Sequence, residues 1–215
     1  MALTPTAILE TQQPTTEAQR HVHFYTKGET IPLMSDGIWQ VCQGLVRLST
    51  FYPSGEEGLL GWIGPSMCFS ACFSHLQSYQ ATAISDVCLM WYSNQEIEAS
   101  PTLAQELLPQ LGRRFRQTEA LLAIAGLRKV EDRLQQLLVL LKQEFGQPIE
   151  EEIRLSIRLT HQDIAAAINT TRVTITRLLG KMQQQGLVTR DKHRHLIIAK
   201  DAFVSSSNLC GYVPQ

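Results

Sequence analysis

Two arginines and a run of hydroxyl side chains between residues 159 and 182 have the types and the spacing to read a nucleic acid. The stretch is Leu159-Thr-His-Gln-Asp-Ile-Ala-Ala-Ala-Ile-Asn-Thr-Thr-Arg-Val-Thr-Ile-Thr-Arg-Leu-Leu-Gly-Lys-Met182. On a helix, Arg172, Val173, Thr176 and Arg177 share one side, away from an apolar side made by Ile175, Leu178, Leu179 and Met182. An arginine fork bonds both acceptors of guanine in the major groove, and threonine contacts a phosphate or a thymine methyl. No aromatic side chain blocks that side. The candidate DNA contacts are therefore Thr160, His161, Gln162, Thr170, Thr171, Arg172, Val173, Thr174, Thr176, Arg177 and Lys181. Lys192 and Arg194 join them from a later segment.

The elements that must position these groups are a helix-turn-helix. Thr160 with Asp163 approximates a capping box, and Ile164, Ala165 and Ile168 give the first helix its buried stripe. Asn169 marks the turn, and Thr170 or Thr171 caps the second helix. Gly186 ends it. Leu187 to Ile198 then reads as two strands around a polar turn, a wing whose tip residues Lys192, His193 and Arg194 would lie near phosphates.

Charge follows the same division. Residues 158–200 hold eight Lys and Arg against two acidic residues, a net of +6, whereas residues 1–157 hold 11 against 17, a net of −6. Asp201 supplies the last charge of the overall −1. An acidic body with a basic end suits a protein that meets DNA with one domain only. The chain of 215 residues, 44% hydrophobic and 18% charged, is long enough for about two cores. No secretory signal, transit peptide or membrane span is read from it, which favours a cytoplasmic protein with no membrane partner.

Residues 1–20 read as a flexible start and 201–215 as a tail. Between 21 and 99, short β-type runs alternate with turn residues: Gln40–Gln43, Leu45–Tyr52, Leu59–Ile63, Tyr79–Ile84 and Val87–Tyr92. That pattern predicts an antiparallel roll. The period changes over 100–126, where Pro109 either kinks a helix or begins a second one. Leu111, Phe115, Thr118, Leu122 and Ala125 recur there at spacings of four and three, a seam for a homodimer. Gly126 is the hinge, and Leu127 to Phe145 opens a DNA-binding domain spanning 127–200. The fold class is α+β.

This order of parts resembles the cAMP receptor protein and FNR superfamily of bacterial transcription regulators over residues 22–200. Thr171-Arg-Val-Thr-Ile-Thr-Arg-Leu-Leu-Gly180, Gln117-Thr-Glu119 and Tyr52-Pro-Ser-Gly-Glu-Glu57 are most similar to the cyanobacterial global nitrogen-control regulators. The resemblance implies a cyclic-nucleotide-binding-like roll, a long dimerisation helix and a winged helix-turn-helix that reads a palindromic operator. It places Arg172 and Arg177 on bases or phosphates. Val173 replaces the glutamate of the cAMP-binding branch, which implies a half-site of the GTA type.

The stretches Met67–Phe73 and Leu76–Tyr79 hold none of the charged groups a cyclic phosphate needs, so cAMP is not expected. The nitrogen regulators bind 2-oxoglutarate, and Arg114 and Glu119 match two of their effector residues, although the arginine expected on the roll is Gln77. The turn Pro53–Gly58 is a candidate contact for RNA polymerase, by analogy with some relatives. Two other readings are a Cys-based redox sensor and a metal-dependent cupin-type enzyme. The first rests on Cys68, Cys72 and His75, with Cys42 and Cys88 read as strand-core residues, and the second on His21, His23 and Glu29. Cupin ligand spacing does not fit, so no enzyme and no certain cofactor are expected.

Overall fold

In the computed structural model, residues 22–203 are described. Residues 22–93 fold as eight strands in two four-stranded antiparallel sheets that face one another. One sheet runs β1 (Val22–Tyr25), β8 (Val87–Ser93), β3 (Gly37–Gln43), β6 (Cys68–Phe69). The other runs β2 (Thr30–Ile31), β7 (Gln80–Ala83), β4 (Val46–Phe51), β5 (Glu57–Ile63). Alternate residues point inward from both sheets, so Trp39, Val41, Leu48, Ile63, Phe69 and Leu89 meet in one core. The only polar atom of the Trp39 indole is satisfied: Nε1 donates to the Pro32 carbonyl at 3.0 Å.

A short helix, α1 (Asn94–Ala99), follows behind a complete capping box of Ser93 and Glu96. Helix α2 (Pro101–Ala125) is continuous for 25 residues, with Ser100 as its cap and Pro101 in its first turn. Pro109 lies within it, so of the two options in the sequence the single helix is the one formed. Its ring sits on an exposed side, where the carbonyl it leaves without a helical donor is accessible to solvent. One face of α2 buries Leu103, Leu107, Gln117, Leu121 and Ile124. The opposite face leaves Leu108, Phe115 and Leu122 open to solvent.

The C-terminal part is built on α3 (Val130–Phe145), which buries Leu134, Leu137, Leu138 and Leu141 against Ile164, Ile168, Ile175 and Leu178. Leu45 and Trp62 of the roll enter that same core. Helix α3 begins three residues later than the sequence suggested, at Val130, because Lys129 takes an extended conformation there. Two strands that the sequence reading lacked come next, β9 (Gly146–Ile149) and β10 (Glu152–Leu155). They join β11 (Val188–Arg190) and β12 (Leu196–Ala199) in a sheet ordered β11-β12-β10-β9. Pro148 is on the edge strand, where its missing donor breaks no ladder. Helices α4 (His161–Ala167) and α5 (Arg172–Gln184) complete the domain.

Candidate nucleic-acid interface

The start of α4 is fixed by reciprocal bonds. Thr160 Oγ1 accepts from Asp163 N at 3.1 Å, and Asp163 Oδ2 accepts from Thr160 N at 2.8 Å. The chain leaves α4 through Asn169 at φ 49°, a left-handed conformation that asparagine adopts more readily than most residues. Of the two candidate caps of α5, Thr171 does the work, its Oγ1 accepting from Thr174 N at 3.2 Å. Its predicted inward face is buried, and Arg172, Val173, Thr176 and Arg177 are exposed on the other side. Val173 is 78% exposed, although it is apolar.

Around the first turn of α5, Arg172 shares a basin of about 640 Å³ with Lys27, Arg158, Arg190 and Arg194. Cations from the roll, the approach to α4, α5 and the wing converge there. His161 lies among them, its Nδ1 at 2.7 Å from Thr176 Oγ1 and its Nε2 in contact with an Arg190 guanidinium nitrogen. Burial, with Arg190 and Arg172 nearby, pushes its pKa below the ordinary 6.5. Neutral His161 therefore accepts from Arg190 at Nε2 and donates from Nδ1 to Thr176, which donates to the Arg172 carbonyl at 2.9 Å. This relay ties the wing to the reading face of α5.

The wing is held by Asp191. Its Oδ1 accepts from the backbone N–H groups of His193 and His195, each at 2.8 Å, and its Oδ2 accepts from Arg154 Nε at 2.7 Å. Desolvation raises the pKa of this carboxyl, but the bonds from Arg154, His195 and His193 outweigh it and hold it at about 2. Lys192, His193 and Arg194 are exposed at the tip, with Arg194 at φ 65°.

Not every predicted contact faces this basin. Lys181 Nζ is paired with Glu131 Oε1 at 2.9 Å, on the side of α5 next to α3. Thr174 is engaged in the cap of α5. Thr170 and Thr171 line a cleft opposite Arg47, Tyr52, Glu56 and Glu57 of the roll. Thr160, engaged in the cap of α4, and Gln162, which borders both spaces, do line the basin. Across that cleft, Arg47 Nη2 meets Glu57 Oε1 at 3.1 Å and Nη1 meets Asp163 Oδ1 at 3.4 Å. Glu56 and Glu57, in the turn read as a polymerase contact, thus face the helix-turn-helix. The sequence reading missed Lys27, Arg158 and Arg190. Arg158 was visible two residues before the Thr160 cap and Arg190 at the end of the first wing strand, whereas Lys27 carried no local signal.

A second cavity, about 470 Å³, opens between the roll and α2, with Leu60, Phe69, Phe73, Leu76, Leu111 and Phe115 as its apolar walls. Among the described residues that line it the one cation is Arg114, which donates to Thr118 Oγ1 at 2.6 Å and to the Leu60 carbonyl at 2.9 Å. Burial lowers the pKa of this guanidinium, and nearby Tyr79 acts the other way. The close approach depends on Gly61 at φ 153°, where a Cβ would stand 2.5 Å from Gln117 Oε1 and 2.8 Å from Arg114 Nη1. Gln117 pairs with the strand at Trp62, accepting from its N–H at 3.1 Å and donating to its carbonyl at 2.9 Å.

Glu119, the other predicted effector residue, is exposed and does not line this cavity, because five residues along a helix turn it far round from Arg114. The cysteine expectations also need correction. Cys68 lies in β6 and Cys72 in a 3-10 turn, Ala71–Phe73. Burial pushes the Cys68 thiol up to about 12. Cys42 and Cys88, read as core residues, are exposed and half-buried. No cluster of three or more metal-ligating side chains occurs among the described residues. His23 stacks edge-on against Trp39 at 4.9 Å, Glu29 accepts from Thr26 N, and His21 lies outside the described residues.

A β-roll joined by a long helix to a winged helix-turn-helix with an exposed basic reading face defines a DNA-binding transcription regulator. The sequence comparisons agree. Residues 132–202 match the Crp-like helix-turn-helix domain family. The chain is 34% identical to the regulatory protein CysR of Synechococcus elongatus over 194 residues, 89% of each chain. It is 31% identical to the global nitrogen regulator of the same organism, covering 80% of this chain and 83% of that one. In fold it is similar to FixK2 from Bradyrhizobium japonicum, with a TM-score of 0.72 at 18% identity over 91% of this chain and 100% of that one. TTHA1359, a CRP/FNR-family regulator from Thermus thermophilus, gives 0.66 at 21% identity over 89% and 99%. The chain belongs to the CRP/FNR family of transcription regulators. None of the helices among the described residues is long and apolar enough to cross a membrane.

Proposed function

We propose that two copies of this chain pair through α2 and bind a palindromic operator, each placing one α5 in the major groove of a half-site. The carrying observation is the uncovered face of α5 flanked by the basic basin. Arg172 and Arg177 are the base readers, Val173 gives an apolar contact, and Lys192, Arg194, Arg158 and Arg190 hold phosphates. Pairing is supported by Leu108, Leu111, Phe115, Thr118, Leu122 and Ala125, which alternate at spacings of three and four, with the largest side chains left exposed.

Bound sites are mapped first by selection from random duplexes, and variants are then measured on the selected operator. Arg172→Ala should cost about 1–3 kcal/mol at one base position, and Lys192→Ala should weaken all sequences evenly and flatten the salt dependence. Equal losses on every sequence from both variants would contradict the assigned roles.

The Arg114 cavity supports a second element of the reading, a small carboxylate effector and no response to cAMP. Arg114 has no carboxylate partner among the described residues, so an anion entering the cavity meets a desolvated, uncompensated cation. 2-Oxoglutarate is the effector to test first, by calorimetry against cAMP, with Arg114→Gln as the control. Heat from cAMP and none from 2-oxoglutarate or another small carboxylate would reject it.

A further inference from the structure

On adjacent strands of the roll, far along the chain from one another, stand two thiols that the family assignment does not use. β3 and β8 pair in register from Gly37–Ser93 to Val41–Leu89, and the ladder then slips so that Gln43, not Cys42, is the partner of Cys88. Such a bulge sets two residues against one and turns them to the same side of the sheet. Val41 and Leu89 point into the roll's core, and Cys42 and Cys88 are therefore on the outer surface, Cys42 exposed and Cys88 half-buried. Cys88 is near enough to Cys42 to help raise the pKa of its thiol, after burial. In the bulge Cys42 and Gln43 both stand against Cys88, and opposed Cα atoms on neighbouring antiparallel strands lie about 4.5–5.5 Å apart, within the separation a disulfide spans.

We propose that Cys42 and Cys88 are a reversible dithiol–disulfide pair, closed by exchange with a small-molecule disulfide of the glutathione type. In the first step the Cys42 thiolate, the more exposed, attacks one sulfur of the small disulfide and expels the other as a thiolate. Cys88 then attacks the Cys42 sulfur, the Sγ–Sγ bond forms, and the second small thiolate leaves. Two protons pass to the released thiolates, and two electrons move from the protein to the oxidant. Burial and the neighbouring Cys88 both raise the pKa of Cys42, so exchange accelerates as the pH rises above neutrality. Exposed cross-strand disulfides of this sort belong to the readily reduced class. Three residues beyond Cys42, Leu45 enters the core of the DNA-binding domain, so the link would tie β3 to β8 next to the junction of the two domains.

The pair is separable from the other cysteines. Cys68 is buried with a suppressed thiolate, Cys72 lies near Ser70 in its 3-10 turn, and Cys210 lies outside the described residues. The test is to reduce the full chain, titrate it with oxidised glutathione, block free thiols and map peptides by mass without reductant. The expected product is one intramolecular peptide pair holding Cys42 and Cys88, lighter by two hydrogens and opened by dithiothreitol. In Cys88→Ser the pair should vanish, and Cys42 should carry about tenfold more glutathione than in the parent, because the resolving thiol is gone. Thermal melting of the two reduced proteins should coincide, showing that the variant folds. Two retained glutathiones, free Cys42 and Cys88 where Cys72 is already modified, or a bond to Cys210 or to another chain would overturn the proposal.

Discussion

Leu122→Ala measures whether the exposed stripe of α2 is an interface. Leu122 is 74% exposed, and it lies seven residues after Phe115, itself seven after Leu108, on the face opposite the buried Leu121 and Ile124. Covering a whole leucine side chain is worth about 1.5–3 kcal/mol, so covering the open three-quarters is worth about 1–2 kcal/mol per copy. A two-fold pair loses this contribution twice, about 2–4 kcal/mol, which raises the dimer Kd by a factor of about 30 to 1000. Sedimentation equilibrium over a wide concentration range reads that factor directly. The folded monomer should be no less stable than the parent, because the side chain touches little in its own chain. A Kd within threefold of the parent, or a parent that stays monomeric at high concentration, refutes the seam.

Two further changes probe the internal architecture. Gly61→Ala puts a methyl group 2.5 Å from Gln117 Oε1 at a backbone conformation that L-residues avoid, and should cost about 1–3 kcal/mol in urea unfolding; an unchanged midpoint would mean that α2 does not depend on that approach. Asp191 has a depressed folded-state pKa, so its contribution to wing stability is complete above the ordinary 3.8 and is lost as pH falls through about 2. Carbon-13 NMR of the Asp191 carboxyl should show that low midpoint and its rise towards 3.8 in Arg154→Gln. A midpoint near 3.8 in the parent protein would show that the clamp is not formed.

What the sequence disclosed was local. The caps at Thr160 and Thr171, the turn at Asn169 and the apolar stripe of α5 are all set by residues within four positions of one another, and all are found in the structure. The β9–β10 hairpin was invisible for a local reason too. Its turn uses Glu150 at φ 50° in place of glycine or asparagine, so residues 147–152 show no hairpin signature. Cys42 was misplaced because a small apolar residue within a strand was read as core, whereas alternation from the inward-pointing Trp39 and Val41 puts it on the outer side of the sheet. Lys27 and Arg47 depend on contacts across more than a hundred residues, which only the assembled domains create. Arg114 was found through the family resemblance, and its isolation in an apolar cavity through the structure alone.

The carboxylate of Asp163 has two allegiances. One oxygen begins α4 through Thr160, and the other receives Arg47 from the centre of the roll's second sheet. The first turn of α4 and the middle of β4 therefore share a single charged contact. Removing the Asp163 carboxylate would cost the helix its reciprocal cap and the two domains this ion pair in one substitution, so a local helix-start residue is also a piece of the domain junction.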